Sequence, residues 1–498
     1  MELKITVSAK KIINSGSTRT LFKSLLEKLV GFMEKQFGSK LLLEVPLGLH
    51  RFDSHMFSAI DAIARLKRME ILKEVKKIRN LPDEPGLFRF YASSHKRAYG
   101  TGSSFTDEES AMWKSLAEAT ERFLWMHSDF IYTEKDKMVS ASYEEVKKRA
   151  VNIFSLAGFS DEQKEKNTTI RFDKHTKFNW IPVESLVTKK TVLCPVQLLN
   201  NLYFRSHVDH PGAQKDDRRN EPMLRWAITT GLATGRSHEE ALTKGILEIV
   251  ERDAFIITYL NKLSPPMIDL DYLSCQDEEI KKILSRFRRY KLEVYLIQLP
   301  TDFAVHIIAA VIIDRTGTTA APAFTIGASA DFSLRECILD ALSEALKICI
   351  GTREYYLSDK KANADTSAIY QRLQNWSEQN KLPLIGFLTN GTTIKTDLER
   401  TFYTPDNDKE RNIFYKQQLT SLANQIKNLG YEAYFSDLTI PEVRDLGLEC
   451  RYVLIPELQP LHLNENLPYF GGERLFSVPS KLDYIPAQSL NKIPHPFS

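Results

Sequence analysis

The sequence predicts an α+β (mixed α/β) fold, and three observations lead to this class. Short apolar segments with the alternation of β-strands recur along the chain. Segments with helical spacing of apolar residues separate them. One segment plan also occurs three times, which indicates a repeated supersecondary unit. The strand candidates are Phe88–Ala92, Val192–Pro195, Leu292–Leu299, Val305–Ile313, Glu432–Phe435 and Tyr452–Pro456.

The first part of the chain has the apolar spacing of helices from about residue 20 to residue 80. Its two best segments are the leucine-rich run from Leu21 to Met33 and the segment from Met56 to Ile78. The Pro- and Gly-containing stretch Leu81–Gly86 then ends the pattern. We therefore predict an N-terminal, mainly helical segment over residues 1–85 and a main domain over residues 86–498. The polar stretches His207–Asn220 and Asp359–Asp365 are predicted to be loops.

The repeated segment combines a Gly/Ser/Thr turn, a few polar residues and an Ala-rich helix that carries acids. The three copies read TGSSFTDEESAMWKSLAEATERF from Thr101, TGLATGRSHEEALTKGILEIVERDAF from Thr230 and TIGASADFSLRECILDALSEALKI from Thr325. The copies begin at irregular intervals, which excludes a solenoid. The pattern predicts one unit used three times around a shared centre. In the alignment, Glu118 matches Glu248 and Glu344, while Glu121 and Arg122 match Glu251 and Arg252.

In the second copy the acids fall on one face of the predicted helix. Glu240, Lys244, Glu248 and Glu251 stand at i, i+4, i+8 and i+11, which is one side of a 3.6-residue period. Carboxylates at such spacing repel each other, and in a cleft they need a cation. Mg²⁺ binds carboxylate and phosphate oxygens together. A single such pair usually lies on a solvated face, but recurrence of ExxER in a repeated unit favours a magnesium–nucleotide site.

The composition excludes several classes of protein. The 67 basic and 64 acidic residues give a net charge of only +3, which argues against a nucleic-acid binder. The five cysteines form no CxxC pair, so neither a disulfide framework nor a zinc site is indicated. The N-terminus lacks the apolar run of a signal peptide, and the longest apolar stretch is too short to span a bilayer. We therefore expect a cytoplasmic enzyme without nucleic-acid or membrane partners.

The nucleotide would be held without a Walker A loop, because GLATGRS from Gly231 is one residue short and lacks the lysine. Metal and acids would hold it instead. The ExxER segment after Gly102 and the run GLATGRSHEEALTKGILEIVERDA from Gly231 resemble the YcaO family. The similarity continues through FNWIPVESLVTKKTVLCPVQLLNNLY from Phe178 and LIPELQPLHLNENLPYFGGERLFSVP from Leu454. It covers about residues 86–498.

The resemblance implies the ATP-binding fold of that family, with strand-turn-acidic-helix units around a central nucleotide cleft. ATP and Mg²⁺ are the implied cofactors. The residues that it implies as magnesium ligands are Glu118, Glu121, Glu240, Glu248 and Glu251. The residues that it implies near the nucleotide are Arg122, Arg252, Arg236, Lys347 and Glu344. This chain departs from the family pattern at Arg236, where many members have Asn, and at Lys347, where Gln is frequent.

The C-terminal residues resemble the Pro-x-Pro tail of azoline-forming members of the family. The tail covers about residues 485–498, and its last residues include Pro494, His495, Pro496 and Ser498. Such a segment is stiff and extended, so it loses little entropy on docking. The resemblance implies that these four residues contribute to catalysis, with His495 or the terminal carboxylate as the base.

The resemblance implies a cyclodehydratase that converts Cys, Ser or Thr of a ribosomally made precursor peptide into thiazoline or oxazoline rings. ATP would phosphorylate the backbone amide oxygen. Formation of a thioamide or amidine is the alternative within the family, and a non-catalytic nucleotide-binding accessory protein is the alternative from another class. The expected partners are the precursor peptide, a leader-peptide-binding protein and a flavin-dependent azoline dehydrogenase. Residues 1–85 look too short for a leader-binding module, and a homodimer within a hetero-complex is expected.

Overall fold

The computed structural model describes residues 59–498 apart from residues 83, 96–97, 129–137, 201–220, 318–321, 358–367, 400–407 and 498. The helices are α1 (Ala59–Arg68), α2 (Glu108–Met126), α3 (Tyr143–Val146), α4 (Asp161–Lys166), α5 (His238–Asn261), α6 (Leu270–Gln276), α7 (Glu278–Arg289), α8 (Leu334–Leu357), α9 (Ala368–Asn375), α10 (Asp408–Asn428), α11 (Pro441–Arg444) and α12 (Arg474–Lys481). The strands are β1 (Leu72–Ile78), β2 (Phe88–Ser94), β3 (Tyr99–Ser104), β4 (Val139–Ser142), β5 (Lys177–Ser185), β6 (Thr191–Pro195), β7 (Leu232–Gly235), β8 (Met267–Ile268), β9 (Glu293–Gln298), β10 (His306–Ile313), β11 (Phe324–Asp331), β12 (Thr393–Ile394), β13 (Tyr434–Asp437) and β14 (Glu449–Leu454).

These strands form three separate sheets. The first has the order β1-β2-β3, the second β11-β10-β9-β8-β12 and the third β4-β5-β13-β14-β7, with β6 paired to β5. Neighbouring strands are antiparallel apart from β12 and β8. The predicted α+β class is therefore confirmed. Strands β3, β11 and β7 each occupy the end of one sheet, and each is followed by a long acidic helix.

The three sequence copies form three strand–helix units arranged in a ring. The first unit is β3 with α2, the second is β7 with α5, and the third is β11 with α8. Each helix packs on its own strand and also contacts the strand of another unit, α2 on β7, α5 on β11 and α8 on β3. These contacts close a cycle. The prediction of one unit used three times around a shared centre is therefore confirmed.

Glycines allow each strand to approach its helix closely. A Cβ atom on Gly102 would lie 1.9 Å from the carbonyl oxygen of Ala111, and one on Gly235 would lie 2.6 Å from the amide nitrogen of Ala241. In the third unit, a Cβ on Gly327 would lie 2.3 Å from a backbone nitrogen of α8. Because such distances are shorter than any real carbon contact, a side chain at these positions would push helix and strand apart. The glycines therefore set how near the helical acids come to the centre.

The helices begin at equivalent positions of the repeat. The side chain of Asp107 caps α2 by accepting from the amide of Ser110, and Ser237 caps α5 by accepting from the amide of Glu240. Ser333 stands at the same repeat position and accepts from the amide of Glu336 at 3.4 Å. These oxygens satisfy amides that have no partner inside the helix. The repeat thus fixes where each helix starts.

Helix α5 is the most deeply buried of the acidic helices. From Glu240 to Asn261, all but three of its residues are buried, and its apolar residues join a core with sheet β11-β10-β9-β8-β12, α10 and α12. Its apolar residues Ala241, Ile246 and Val250 have no exposed surface. A helix that is apolar on most sides belongs inside a domain. The acids on α5 therefore lie at a deep position.

The structure corrects two features predicted from the sequence. The segment from Met56 to Ile78 is not one helix, because α1 ends at Arg68 and Leu72–Ile78 forms β1, which pairs with β2. Most of each Gly/Ser/Thr segment of the repeat is a strand, although Thr230 and Gly231 form a turn before β7, and in the first unit a bend at Phe105 and Thr106 follows β3. Both differences have the same physical reason. Sheet pairing with distant residues overrides local spacing.

The six predicted strands are present, with bounds shifted by up to three residues. The Leu21–Met33 segment and the two polar stretches predicted to be loops lie outside the described residues. The boundary near residue 85 stays a prediction. In the part of the chain that is described, no helix combines the length and apolar character that membrane crossing requires.

Candidate active site

The acids of the first two units are held by the same backbone contact. In the first unit, Glu118 accepts a hydrogen bond from the amide of Thr101 at 2.5 Å. In the second unit, Glu248 accepts one from the amide of Gly231 at 3.1 Å. Thr101 and Gly231 are equivalent in the repeat and each lies 17 residues before its glutamate. In each unit, a backbone amide in the strand or directly before it thus fixes the position of the carboxylate.

A third glutamate bridges the two units. Glu121 of α2 accepts from the amide of Thr234, which lies on β7 of the second unit, at 2.9 Å. Burial raises the pKa of Glu121 well above its ordinary value, and the neighbouring carboxylates Glu118 and Glu248 raise it further. The carboxylates of α2 and α5 are therefore close enough to repel each other across the interface of the units.

The acids of α5 form the other half of this cluster. Burial raises the pKa of Glu248, although Arg252 acts in the opposite direction. Burial also raises the pKa of Glu251 to about 7, with Glu248 and Glu344 as further contributors against the effect of Arg252. Since Glu344 belongs to α8, the third unit contributes to the same cluster. The predicted site residues Glu118, Glu121, Glu248, Glu251 and Glu344 are thus brought together.

Three cations accompany these acids. Arg122 contacts Glu118 at 2.6 Å, Arg252 contacts Glu248 at 3.5 Å and pairs with Glu251, and Lys347 contacts Glu344 at 2.6 Å. Lys347 stands at the repeat position that Glu121 and Glu251 occupy in the other units, so the third unit replaces an acid by a base. Despite burial, Glu344 and Glu118 raise the pKa of Lys347, which keeps it charged. The metal-ligand pattern is therefore complete only in the first two units.

Two predicted residues lie at the N-terminal end of α5, Glu240 in its first turn and Arg236 just before the helix begins. Glu240 precedes Glu248 by two helical turns, roughly 12 Å along the axis. It accepts from the amide of Arg236 at 3.0 Å and pairs with Lys244 at 2.7 Å. Burial opposes its charge, but Lys244 outweighs this and lowers the pKa of Glu240. The guanidinium of Arg236 lies 4.9 Å from the ring centroid of Trp113 on α2, so this residue joins the first two units.

The repeat also contains a row of charges, of which only Lys244 was among the residues considered from the sequence. Lys114, Lys244 and Asp340 occupy one repeat position, four residues before Glu118, Glu248 and Glu344. Lys114 pairs with Asp340 at 2.5 Å, which ties the first unit to the third. Burial opposes the charge of Lys244, but Glu240 and also Glu121 raise its pKa. Lys244 therefore lies near the acid cluster. The same alignment, one turn further toward the N-terminus, places Lys114 and Asp340 at the position of Lys244.

The C-terminal Pro-x-Pro segment is packed against α5. The carbonyl oxygen of Pro494 accepts from the Tyr259 hydroxyl at 3.0 Å and from the Trp376 indole at 3.2 Å. The Nε2 of His495 bonds to the carbonyl of His462 at 2.8 Å, and His495 has no exposed surface. Burial lowers the pKa of His495 well below its ordinary value, and nearby Arg372 lowers it further. Pro496 is also buried, while Ser498 lies outside the described residues.

The acid cluster fits Mg²⁺ and a phosphate chain. Buried carboxylates with raised pKa values are unfavourable as anions until a cation joins them, and carboxylate oxygens are ligands that Mg²⁺ prefers. The two arginines supply donors for phosphate oxygens. Among the described residues the buried Nε of Arg252 has no hydrogen-bond partner, which leaves a donor beside the acids. The arrangement of carboxylates on converging helices thus has the chemistry that a metal-bound polyphosphate requires.

Comparison with known proteins identifies the family. Residues 101–459 match the sequence model of the YcaO cyclodehydratases, described as ATP- and Mg²⁺-binding. This match covers more than half of the chain, and the chain belongs to the YcaO family. ATP and Mg²⁺ are accordingly its cofactors. The resemblance inferred from the ExxER segments is confirmed.

Solved structures share the fold. A heterocyclase in complex with substrate and cofactor aligns with a TM-score of 0.67 at 21% identity, covering 86% of this chain. YcaO from Methanopyrus kandleri, bound with AMPPCP and Mg²⁺, aligns at 0.53 and 17% identity, covering 84% of this chain and 95% of its own. The McbBCD microcin synthetase complex of E. coli aligns at 0.53 and 12% identity, covering 80% and 90%. The chain spans 55% of the length of the heterocyclase.

The raised pKa of Glu251 predicts how pH affects the metal-free protein. The folded state binds this proton more tightly than the unfolded state, because the pKa rises from 4.5 to about 7. The stability that the protonated form contributes is present below pH 4.5 and is lost as the pH rises through 7. At pH 8 we therefore expect metal-free Glu251→Gln to exceed the wild type in unfolding free energy by about 3 kcal/mol more than at pH 4.

Thermal unfolding of wild type and Glu251→Gln between pH 4 and 8 in EDTA measures this difference. Glu109→Gln is the matched control, because Glu109 lies on α2 with an exposed side chain. Its difference from the wild type should not change across this range. A difference for Glu251→Gln that is equally independent of pH would contradict the burial and repulsion described above. Added Mg²⁺ should favour the wild type at pH 8.

Proposed function

We propose that the chain is the ATP- and Mg²⁺-dependent component of an azoline-forming cyclodehydratase that acts on a precursor peptide. The observation that carries the proposal is the convergence of Glu118, Glu121, Glu248 and Glu251 from two repeated units, with Arg122 and Arg252 beside them. Such a site positions a triphosphate for attack and neutralises its charge, which is the main task in phosphoryl transfer.

The proposed reaction proceeds in three steps. The thiol or hydroxyl of a peptide Cys, Ser or Thr adds to the preceding carbonyl carbon, forming a C–S or C–O bond and losing its proton to a base. The former carbonyl oxygen then attacks the γ-phosphorus of ATP, and ADP leaves. Finally the carbon–oxygen bond breaks, phosphate leaves and the amide nitrogen loses its proton, which gives the C=N bond of the ring. One ATP thus yields ADP and phosphate for each azoline.

The residues of this chain have separate roles in the proposed reaction. The amides of Thr101 and Gly231 hold Glu118 and Glu248 in place. The four glutamates hold Mg²⁺, which neutralises charge on the phosphate oxygens when bound. Arg122 and Arg252 bind phosphate oxygens as charge-assisted donors. Glu240 stays a proposed further magnesium ligand, and Arg236, Lys347 and Glu344 stay proposed neighbours of the nucleotide.

We propose the Pro-x-Pro segment with Pro494, His495, Pro496 and Ser498 as the source of the base. His495 is the supported member of this set. Its Nε2 donates to the His462 carbonyl, and the ring has no exposed surface. Burial lowers the pKa of His495, so the imidazole is neutral, and the neutral form is the one that can accept a proton. Access of the peptide to this buried ring is part of the proposal.

Partner proteins complete the proposal. The E. coli synthetase to which this chain is similar is a complex of several proteins, and a second structure of it is described with pro-MccB17 bound. We infer by this likeness that a leader-peptide-binding protein presents the precursor peptide to this chain. A flavin-dependent azoline dehydrogenase and a homodimer within the complex are further proposals. All five cysteines are free, which favours a reducing cytoplasm.

An isotope experiment tests the reaction. A Cys- or Ser-containing precursor peptide carries a heavy oxygen isotope in the amide carbonyl before the reacting residue, and the chain acts on it with partner, ATP and Mg²⁺. We expect loss of one water mass per ring and transfer of the heavy oxygen into inorganic phosphate. Phosphate without the heavy isotope would contradict phosphorylation of the amide oxygen.

The alternatives give other outcomes in the same experiment. A thioamide or amidine would transfer the heavy oxygen into phosphate but change the peptide mass by replacement of oxygen with sulfur or nitrogen. A nucleotide-binding accessory protein would leave peptide and ATP unchanged. A peptide in which Ala replaces every Cys, Ser and Thr is the matched control, and it should give no ring.

A further inference from the structure

The ExxER arginine of the first unit lies over an aromatic ring. The guanidinium of Arg122 lies 5.0 Å from the ring centroid of Tyr99 and donates to the Tyr99 carbonyl at 3.0 Å. Tyr99 is the first residue of β3, so the ring comes from the same unit as the arginine. A cation held over an aromatic face has fewer orientations than a free one. The ring therefore fixes Arg122 beside Glu118.

The second unit lacks this ring in its own strand. The residue equivalent to Tyr99 is Thr229, which has no aromatic face. Yet Arg252 also lies over a ring, with its guanidinium 4.3 Å from the centroid of Phe497. The Pro-x-Pro segment, from the other end of the chain, thus supplies the ring that the second unit does not encode.

Phe497 is firmly placed. It is 1% exposed, and its ring packs on Phe255 with centroids 4.6 Å apart. The buried Arg372 donates to the Phe497 carbonyl at 3.0 Å, and Arg372 is itself paired with Glu465. These contacts join two distant elements, α9 and the loop around Glu465, to one residue of the segment. The position of Phe497 is therefore set independently of Arg252.

The segment makes further contacts with α5 upstream of Pro494. The amide of Asn491 donates to the Leu260 carbonyl at 2.7 Å, and its side-chain amide donates to the Tyr259 carbonyl at 3.3 Å. Together with the contacts of Pro494 and His495 described above, these bonds lay the segment on the C-terminal half of α5. Arg252 lies on the same helix, two to three turns before these residues.

We propose that Phe497 is a positioning residue for Arg252, so that docking of the Pro-x-Pro segment and binding of the Mg²⁺–nucleotide are coupled. This rests on the proposed function, in which Arg252 binds a phosphate oxygen. With the ring in place, the guanidinium is held beside Glu248 and Glu251; without it, Arg252 can turn away from the phosphates. Coupling between two binding events is reciprocal, so bound nucleotide also favours the docked segment.

A double-mutant cycle on the full chain tests this inference. Affinity for the ATP analogue AMPPCP is measured calorimetrically with Mg²⁺ for wild type, Phe497→Leu, Arg252→Gln and the double variant. Leucine keeps apolar bulk but lacks an aromatic face, so we expect binding to weaken about tenfold, the order of a desolvated cation–π contact. The double variant should bind no more weakly than Arg252→Gln alone.

Two further variants separate positioning from folding. Phe497→Tyr keeps the aromatic face and should bind within about threefold of the wild type. Phe476→Leu removes a ring that is 45% exposed on α12, and its affinity should equal that of the wild type. If Phe497→Leu does not fold, the comparison of Phe497→Tyr with wild type, each with and without Arg252→Gln, replaces the cycle. In that case we expect Phe497→Tyr to keep its affinity for AMPPCP when Arg252 is present and to lose it in combination with Arg252→Gln.

The outcomes distinguish this inference from the proposed function. If wild type shows no Mg²⁺-dependent binding of AMPPCP, the proposed nucleotide site is wrong. If wild type binds and Phe497→Leu binds equally well, only the positioning role is overturned. Additive losses in the double variant would also overturn it, because they would mean that Phe497 acts on affinity without Arg252.

Discussion

Glu248→Gln is expected to reduce Mg²⁺-dependent ATP turnover by about 100-fold or more while the protein stays folded. Glu248 is central to the cluster, because its charge is repelled by that of Glu118 on α2. Glu248 also raises the pKa values of Glu121 and Glu251. Glutamine keeps the shape and can still accept from the amide of Gly231. It removes the negative charge that we propose to bind the metal and that pairs with Arg252.

The same substitution should not destabilise the metal-free protein. Buried like charges disfavour the folded state, so a neutral glutamine relieves repulsion with Glu118. We therefore expect an unfolding temperature equal to or above that of the wild type in EDTA, and a smaller rise on addition of Mg²⁺. ATP turnover and thermal unfolding, each with and without Mg²⁺, measure the two effects. Glu109→Gln on the exposed face of α2 should resemble the wild type in both, and unchanged turnover in Glu248→Gln would exclude Glu248 as a metal ligand.

Gly102→Ala is expected to destabilise the protein by about 3 kcal/mol, or to move α2 away from β3. The new Cβ would lie 1.9 Å from the carbonyl oxygen of Ala111 and 2.4 Å from the amide nitrogen of Ser115. Both atoms are backbone of α2, so no side-chain rotation can relieve the overlap. Since Glu118 lies on the next turn and bonds to Thr101, the displacement should also lower Mg²⁺ affinity.

The matched control is a glycine that lacks such contacts. Gly351 lies in α8 with no atom within 4 Å of an added Cβ. Gly351→Ala should therefore stabilise the protein by about 0.5–1 kcal/mol, since alanine reduces the entropy of the unfolded chain. Chemical denaturation of both variants gives the comparison. If Gly102→Ala were as stable as the wild type, the close approach of β3 and α2 would not be real.

Most of what could be predicted about the site came from aligning the three copies of the repeat. Three aligned copies placed Glu118, Glu248 and Glu344 at one position, and the ring of units brings them together as that alignment predicts. The α+β class followed from local patterns, which strands and helices retain. Lys114 and Asp340 stand in the same alignment at the position of Lys244, so their place beside the acids could also have been predicted.

Long-range contacts could not be predicted from local patterns. The pairing of β7 with β14 joins residues more than 200 positions apart, and no local pattern encodes this register. The segment Leu72–Ile78 was assigned to a helix because its apolar spacing is ambiguous, and its pairing with β2 decides the outcome. The contact of Phe497 with Arg252 depends on how the C-terminal segment docks on α5. Only the folded chain shows it.

Replacement of Mg²⁺ by Mn²⁺ gives the most direct test of the central claim, that acids from separate repeated units hold one metal–nucleotide group. A crystal of the protein with Mn²⁺ and AMPPCP would show the metal by its anomalous scattering. We predict metal peaks within coordination distance of carboxylates from both α2 and α5, including Glu118 or Glu121 together with Glu248 or Glu251. Metal and phosphates bound elsewhere, with these carboxylates turned toward solvent, would contradict the account.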